Sequence, residues 1–426
     1  MLKNTNLFTF LTKSLLVILP FYVIIKVYSE KILGIKFLWF FIKEFIIILL
    51  FFVLIYEYFF NKNNKAIKVK LTTIDYAIFI FILYWIIITF VNNYWFSNIF
   101  YWGRYDFLSF IVFLIYKHWK IFLKDNIINF IKIFLISATI SIFLWLVIKF
   151  ILWEEFLTLF GFTFDITSFW FWWWIPIYQW VEASWIRRFQ WILDSPLSMG
   201  YFLLMFIWLF VYMNKKDIDF WVLLGVILLF FLIFITYSRW AILWFIVAIL
   251  ILLLFSFKSI FRDNKKILGI SLFIIIIVGL LFSYIFQDKV RNIFIREGST
   301  TGHINRIITG FERFSKKPLG SWLWTSGPAY RSIFPEKVSL EWDRYYIPES
   351  WFIQILVEGG IVYFSLFMFI ILNILNNLYK HNRYIFIMFM SILTMNLFLH
   401  VFEATYITII LFLFLSIFYT NEKLQK

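Results

Sequence analysis

Apolar runs of about 17 to 25 residues recur along nearly the whole chain, and this repetition restricts the fold more tightly than any other feature of the sequence. A run of that length, coiled as a helix, matches the hydrocarbon thickness of a bilayer. It also satisfies its backbone hydrogen bonds internally, where no water can do so. The runs lie near Leu7–Tyr28, Phe37–Phe60, Ile74–Val91, Tyr105–Tyr116, Ile127–Leu152, Leu197–Met213, Phe220–Tyr237, Trp240–Phe257, Ile267–Phe286, Trp351–Leu378, Tyr384–Val401 and Thr405–Tyr419. They predict an all-α polytopic membrane protein with about a dozen transmembrane helices. A water-soluble fold is excluded on composition, because 63% of the residues are hydrophobic and only 15% are charged, against roughly half and a quarter in soluble domains. No polar stretch is long enough for a separate core, so residues 1–426 form a single transmembrane domain.

The charges orient that domain. A net charge of +15 suggests nucleic-acid binding in a soluble protein, but here the Lys and Arg residues sit mostly in short connections between apolar runs. No nucleic-acid partner is expected; the bilayer is the partner. Lys62, Lys65, Lys68 and Lys70 lie in one connection, Lys117, Lys120 and Lys124 in another, and Lys215 and Lys216 in a third. Lys258, Arg262, Lys265 and Lys266 follow, then Lys380 and Arg383. All fall on one side, which the positive-inside rule makes the cytoplasm, with both termini cytoplasmic in a multi-pass plasma-membrane protein. Two connections are far longer than usual, Trp153–Pro196 and Gln287–Glu349. Both are extracytoplasmic on this count, and the first is net acidic. The opening run is broken by Pro20, ends at Lys26 and shows no small-residue cleavage pattern, so it reads as a first span rather than a cleaved signal peptide. Cys is absent, and His118, His303, His381 and His400 show no metal-ligand spacing. No metal and no cofactor is expected.

Candidate chemistry concentrates in and beside the second long loop. It carries Arg291, Arg296, Arg306, Arg313, Lys316, Lys317 and Arg331, followed by Asp343, Arg344 and Glu349 just ahead of a span. Arginine suits bidentate phosphate contact, so this cluster fits a lipid-linked pyrophosphate; a solvated loop with ordinary ion pairs is the plainer account. Arg239 stands between two apolar runs with almost no loop to spare, where a cation must snorkel to the interface or meet an anion. Arg188 is placed similarly. Glu349 and Glu358 flank the start of a span, and a carboxylate at that level can act as general base toward a sugar hydroxyl. A favourable charge at a helix N-terminus explains Glu349 equally simply. His381-Asn382 lies in a basic connection on the cytoplasmic side and reads as non-catalytic. Lys43, Glu44, Glu57, Lys132, Lys149 and Glu403 are scattered through the spans, without the ladder expected of a proton-coupled carrier.

Three segments together resemble the O-antigen ligase and O-antigen polymerase (Wzy/WaaL-like) superfamily, best between about Arg188 and Gly360. Thr236-Tyr237-Ser238-Arg239-Trp240-Ala241-Ile242-Leu243 is similar to the family's T-x-S-R-G-A-x-x segment. Lys317-Pro318-Leu319-Gly320-Ser321-Trp322-Leu323-Trp324 is similar to its P-L-x-G-x-G-x-G segment. Glu349-Ser350-Trp351-Phe352 through Glu358-Gly359-Gly360 is similar to its H-N-x-y-L…e-x-G segment. The resemblance implies a glycosyltransferase class C-like membrane enzyme, independent of metal. Such an enzyme passes a glycan from undecaprenyl pyrophosphate to an acceptor hydroxyl with inversion, on the outer face of the membrane, in cell-surface polysaccharide biosynthesis. Arg188, Arg239 and Arg306 match the arginines that hold the pyrophosphate, with Arg331 further along the same loop. Glu349 takes the catalytic position, and Ser350, Glu358 and Gly320 support it. The ligase His-Asn is Glu349-Ser350 here, which turns the expectation toward a polymerase or another glycan transferase. The alternative is a lipid-linked oligosaccharide flippase or other polysaccharide transporter, for which mid-membrane polar paths and pseudo-symmetric halves are expected; neither is visible in the sequence.

The tryptophans do not fit this picture. The chain has 22 Trp against 14 Gly, although glycine ordinarily makes up about 7% of residues. Trp240, Trp322 and Trp324 occupy glycine positions of the family segments. Reading Trp240 and Trp244 as glycine creates a small-xxx-small pattern that lets helices approach closely. Reading Trp322 and Trp324 so creates a loop whose backbone N–H groups can approach phosphate, and the run Trp170–Trp174 becomes glycine-rich. The expectation is that many of these positions are UGA codons that the source reads as glycine. The competing account is an interfacial aromatic belt.

Overall fold

The structure, a computed structural model, describes residues 2–35, 42–59, 71–91, 103, 105, 107–123, 126–152, 154–164, 177, 179–180, 187–188, 190, 193–215, 220–263, 297–320 and 348–419. The first apolar run is α1 (Leu2–Ile18) and α2 (Tyr22–Lys31), joined by a 3-10 turn at Leu19–Phe21. Pro20 causes the joint, since its ring removes an N–H from the helical ladder. The following runs become α3 (Ile42–Phe59), α4 (Thr73–Val91), α5 (Leu108–Leu123) and α6 (Ile127–Val147, closed by a π turn at Ile148–Leu152). Then come α7 (Pro196–Met213), α8 (Phe220–Ile235) and α9 (Arg239–Asp263). An unanticipated α10 (Glu297–Lys316) precedes α11 (Trp351–His381), α12 (Arg383–Asn396) and α13 (Thr405–Phe418). The run Ile267–Phe286 lies outside the described residues.

Among the described residues, Asn6–Lys31, Ile127–Val147, Pro196–Met213 and Trp351–His381 are long and apolar enough to cross a membrane, and six further apolar helices are shorter. Their outward faces are unsuited to water. α4 exposes Phe79, Ile80, Leu83, Ile87 and Phe90, and α8 exposes Phe220, Trp221, Leu223, Ile227, Leu228 and Phe231. Apolar patches of that extent belong against lipid, and the chain is an integral membrane protein of helical fold. α13 is the opposite case. Every residue from Thr405 to Phe418 is buried, as a helix apolar on all sides must be when it lies at the centre of a bundle. It runs along α5 and touches α7, α11 and α12. Its few hydroxyls cost little, because Thr408 and Ser416 donate to backbone carbonyls of the same stretch.

Several expected boundaries move. α5 continues past Tyr116 through Lys117, which the charge count placed in a connection between spans, and His118. The reason is an anion: Lys117 Nζ lies 2.6 Å from both carboxylate oxygens of Asp75 in α4, and Thr72 and His118 complete the cluster. α9 runs on to Asp263 rather than ending at Phe257. α12 stops at Asn396, short of Val401, because Asn396 turns back on the chain; its Oδ1 accepts from Phe402 N. The segment Gln287–Glu349, expected as a loop, contains the twenty-residue α10. In Trp153–Pro196 the described part holds a 3-10 turn at Glu154–Phe160 and a two-residue antiparallel ladder, β1 (Gln179–Trp180) with β2 (Arg187–Arg188), pairing Gln179 with Arg188.

Candidate functional site

Helix starts build the site. Arg239 opens α9 after Thr236-Tyr237-Ser238, where Tyr237 has φ +50°. Trp351 opens α11 after Glu349-Ser350, where Glu349 has φ +55°. These are the two described non-glycine residues with positive φ, a conformation that costs on the order of 1–3 kcal/mol and persists only where the surroundings enforce it. Both turns follow one plan, with a left-handed residue, a serine and then the first residue of the helix. Ser350 caps α11 by accepting from Ile353 N. In the other turn Ser238 N donates to Thr236 Oγ1 and Ser238 O accepts from Ile242 N. Strained backbone thus stands at the carboxylate Glu349 itself and at Tyr237, two residues ahead of Arg239.

α10 lies against α11, with Ile307 and Phe314 packed on Ile353 and Val357. This docking places Arg306 at Glu349, whose Oε1 accepts from Arg306 Nη1. On the same side of α10, three residues earlier, His303 Nδ1 lies 3.4 Å from Glu349 Oε2. Glu349 therefore presents each oxygen to a different cation-forming side chain. His400 stands close to both; burial lowers its pKa, and the nearby His303 and Arg306 lower it further, to about 3. It is a neutral imidazole at any physiological pH.

Arg188 belongs to the other turn. Its Nε donates to Thr236 O at 3.1 Å, three residues ahead of Arg239. The two turns share the connection 397–400. Trp240, next to Arg239, stacks on Phe398 with ring centroids 3.9 Å apart and planes 4° from parallel. Trp351 N donates to Leu399 O at 3.3 Å, and Ser350 Oγ to Asn396 O at 3.4 Å. Of the expected residues, Arg306 and Glu349 are in contact, while Arg188 and Arg239 sit on the neighbouring turn across this connection. Arg331 lies outside the described residues.

The remaining motif residues meet backbone to backbone. Gly320 (φ +106°) packs on Gly360 (φ +70°), where α11 is kinked, and Ile361 N donates to Pro318 O at 3.0 Å. A Cβ on Gly320 would stand 2.5 Å from Glu358 O, and one on Gly360 would stand 2.3 Å from the Leu319 carbonyl carbon. The segment Pro318-Leu319-Gly320 is thus seated on Glu358-Gly359-Gly360, which fixes the end of α10 relative to α11. Glu358 is buried there. His381-Asn382 has a structural part, since the Asn382 side chain caps α12 by accepting from Ile385 N.

His303 and His400 are the site residues that the sequence did not disclose. The signal for His303 existed: Ile304, Ile307, Ile308, Phe311 and Phe314 have helical spacing, Glu297 opens the segment, and Arg313 and Lys316 close it. Gly298, Gly302 and Gly310 obscure that pattern. For His400, brought in by the fold from beyond α11 and α12, the sequence carries no signal.

Residues 224–368 match the family model described as O-Antigen ligase (Wzy_C). Among curated proteins and among solved structures nothing matches significantly. The match begins inside α8, so Arg188 precedes it, and it contains Arg239, Arg306, Gly320, Glu349 and Glu358. Over residues 224–368 the chain is similar to the O-antigen ligase family.

Proposed function

We propose that the protein transfers or polymerises a glycan from an undecaprenyl-pyrophosphate donor on the outer face of the plasma membrane. The acceptor hydroxyl oxygen attacks the anomeric carbon, the bond from that carbon to the pyrophosphate oxygen breaks, and the electron pair leaves with undecaprenyl pyrophosphate. Glu349 takes the hydroxyl proton as general base. Arg306, with Arg188, Arg239 and Arg331, neutralises the leaving pyrophosphate, for which guanidinium groups are well shaped. The observation that carries this reading is the contact between Arg306 and Glu349 at a strained helix start inside the family-matched region.

The test is replacement of Glu349 by Gln in the cell that makes the glycan. The expected outcome is loss of transfer, by a factor of roughly 10²–10⁴ for a lost general base, with the lipid-linked donor accumulating. Wild-type glycan length and yield from Glu349→Gln would remove this residue from the mechanism.

A further inference from the structure

Two side chains that differ in freedom face Glu349: Arg306 donates to Oε1, and His303 Nδ1 lies 3.4 Å from Oε2 without hydrogen-bond geometry. The Arg306 side chain is 45% exposed, whereas that of His303 is 18% exposed, on the docked side of α10. With Arg306 donating to Oε1 the carboxylate is a weaker base at that oxygen, and the guanidinium has fewer donors left for phosphate. We propose that His303 is the positioning residue of the site: it holds Glu349 through Oε2 while Arg306 leaves Oε1 for the donor pyrophosphate, uncovering that oxygen for the acceptor hydroxyl. This rests on the donor reading above.

The exchange is energetically easy. An ion pair exposed on one side is screened and weak, while a pyrophosphate offers a guanidinium several charged oxygens and paired, charge-assisted bonds. No comparable exchange is open to His303, which lies on the packed side of the helix. His400 beside it is neutral and adds no rival cation. The order of events follows: donor first, which withdraws Arg306, and acceptor second, against a base that has just been uncovered. Acceptor alone meets a carboxylate whose basicity the paired guanidinium still lowers.

Two measurements on the full-length protein in detergent test this. The first is titration of inorganic pyrophosphate by calorimetry. Glu349→Gln removes the competitor for Arg306 and is expected to tighten pyrophosphate binding by up to about fivefold, the worth of an exposed ion pair. Arg306→Gln is expected to weaken it, and the double variant to behave as Arg306→Gln alone. An unchanged or weaker affinity in Glu349→Gln, beside a clear loss in Arg306→Gln, overturns the exchange and leaves the donor site standing. No binding by the wild type, or an unchanged affinity in Arg306→Gln, overturns both. The second measurement is turnover with lipid-linked glycan extracted from cells that lack the protein. His303→Ala is expected to lower kcat about tenfold or more with donor KM unchanged. His303→Asn, whose amide nitrogen replaces Nδ1, is expected to recover most of the rate. Equal loss in both variants, or a change confined to donor KM, contradicts the positioning role.

Discussion

Gly320 and Gly360 touch through their backbones, and nothing at that contact can yield as a side chain would. A methyl at either position meets main-chain atoms at 2.3–2.9 Å and also incurs the strain of a left-handed residue, about 1–3 kcal/mol. Gly320→Ala and Gly360→Ala are expected to lower stability by at least that amount and to abolish transfer by shifting α10 and its Arg306. Gly302, in the same α10, has nothing within 4 Å of an added Cβ. There alanine is expected to stabilise by about 0.5–1 kcal/mol and to leave activity intact. Thermal unfolding of the detergent-solubilised variants checks all three, and a Gly320→Ala protein as stable as wild type would contradict the backbone contact. Gly320, Glu349 and Glu358 stood out in the sequence because each stands in a recognisable segment. His303 and His400 were not, since their relevance depends on which faces α10 and the 397–400 connection turn toward Glu349.

Among the described apolar helices, existence was legible and termination was not, and the polar α10 was missed. A run of apolar residues announces a span, but its end depends on partners distant in the chain, as Lys117 shows by continuing α5 to meet Asp75. That pair is fully enclosed, with both side chains at zero exposure. Breaking one member of a buried pair leaves an uncompensated charge and costs about 3–5 kcal/mol. Asp75→Asn is therefore expected to lower the unfolding temperature sharply, and the double change with Lys117→Met to restore much of it; a mild effect of Asp75→Asn would show that water reaches the pair. Helix α9 bears on the tryptophan question. Gly200 of α7 sits so near Ala241 of α9 that an added Cβ would stand 2.7 Å from the alanine methyl. Trp240 and Trp244 follow on from that small-residue contact, and their indole N–H groups have no acceptor among the described residues, nor do those of Trp208 and Trp351. A buried donor without a partner costs about 1–3 kcal/mol. Glycine at 240 and 244 removes the cost and extends the close approach. Peptide mass spectrometry of the protein from its own source is expected to read glycine at 240 and 244; tryptophan at both would contradict the recoding.

For the molecule as a whole, the centre was the hidden part. All the apolar runs look alike in sequence, and nothing in Thr405–Phe418 marks it as the enclosed helix around which the others stand, since a lipid-facing and a core-facing span share one composition. The two long connections stood out in the sequence through their length, and the second through its arginines, although the helix α10 within it did not. On the proposed reading these parts combine into a membrane transferase in which Glu349 is the base and Arg306 a donor-binding group, the two meeting at the start of α11. Its most direct test is reconstitution of the purified protein in vesicles with a glycan-bearing undecaprenyl pyrophosphate, following release of undecaprenyl pyrophosphate. The account predicts release that depends on acceptor and is lost in both Glu349→Gln and Arg306→Gln. Release at the wild-type rate from either variant, or passage of the intact donor across the bilayer with its pyrophosphate bond unbroken, would contradict it.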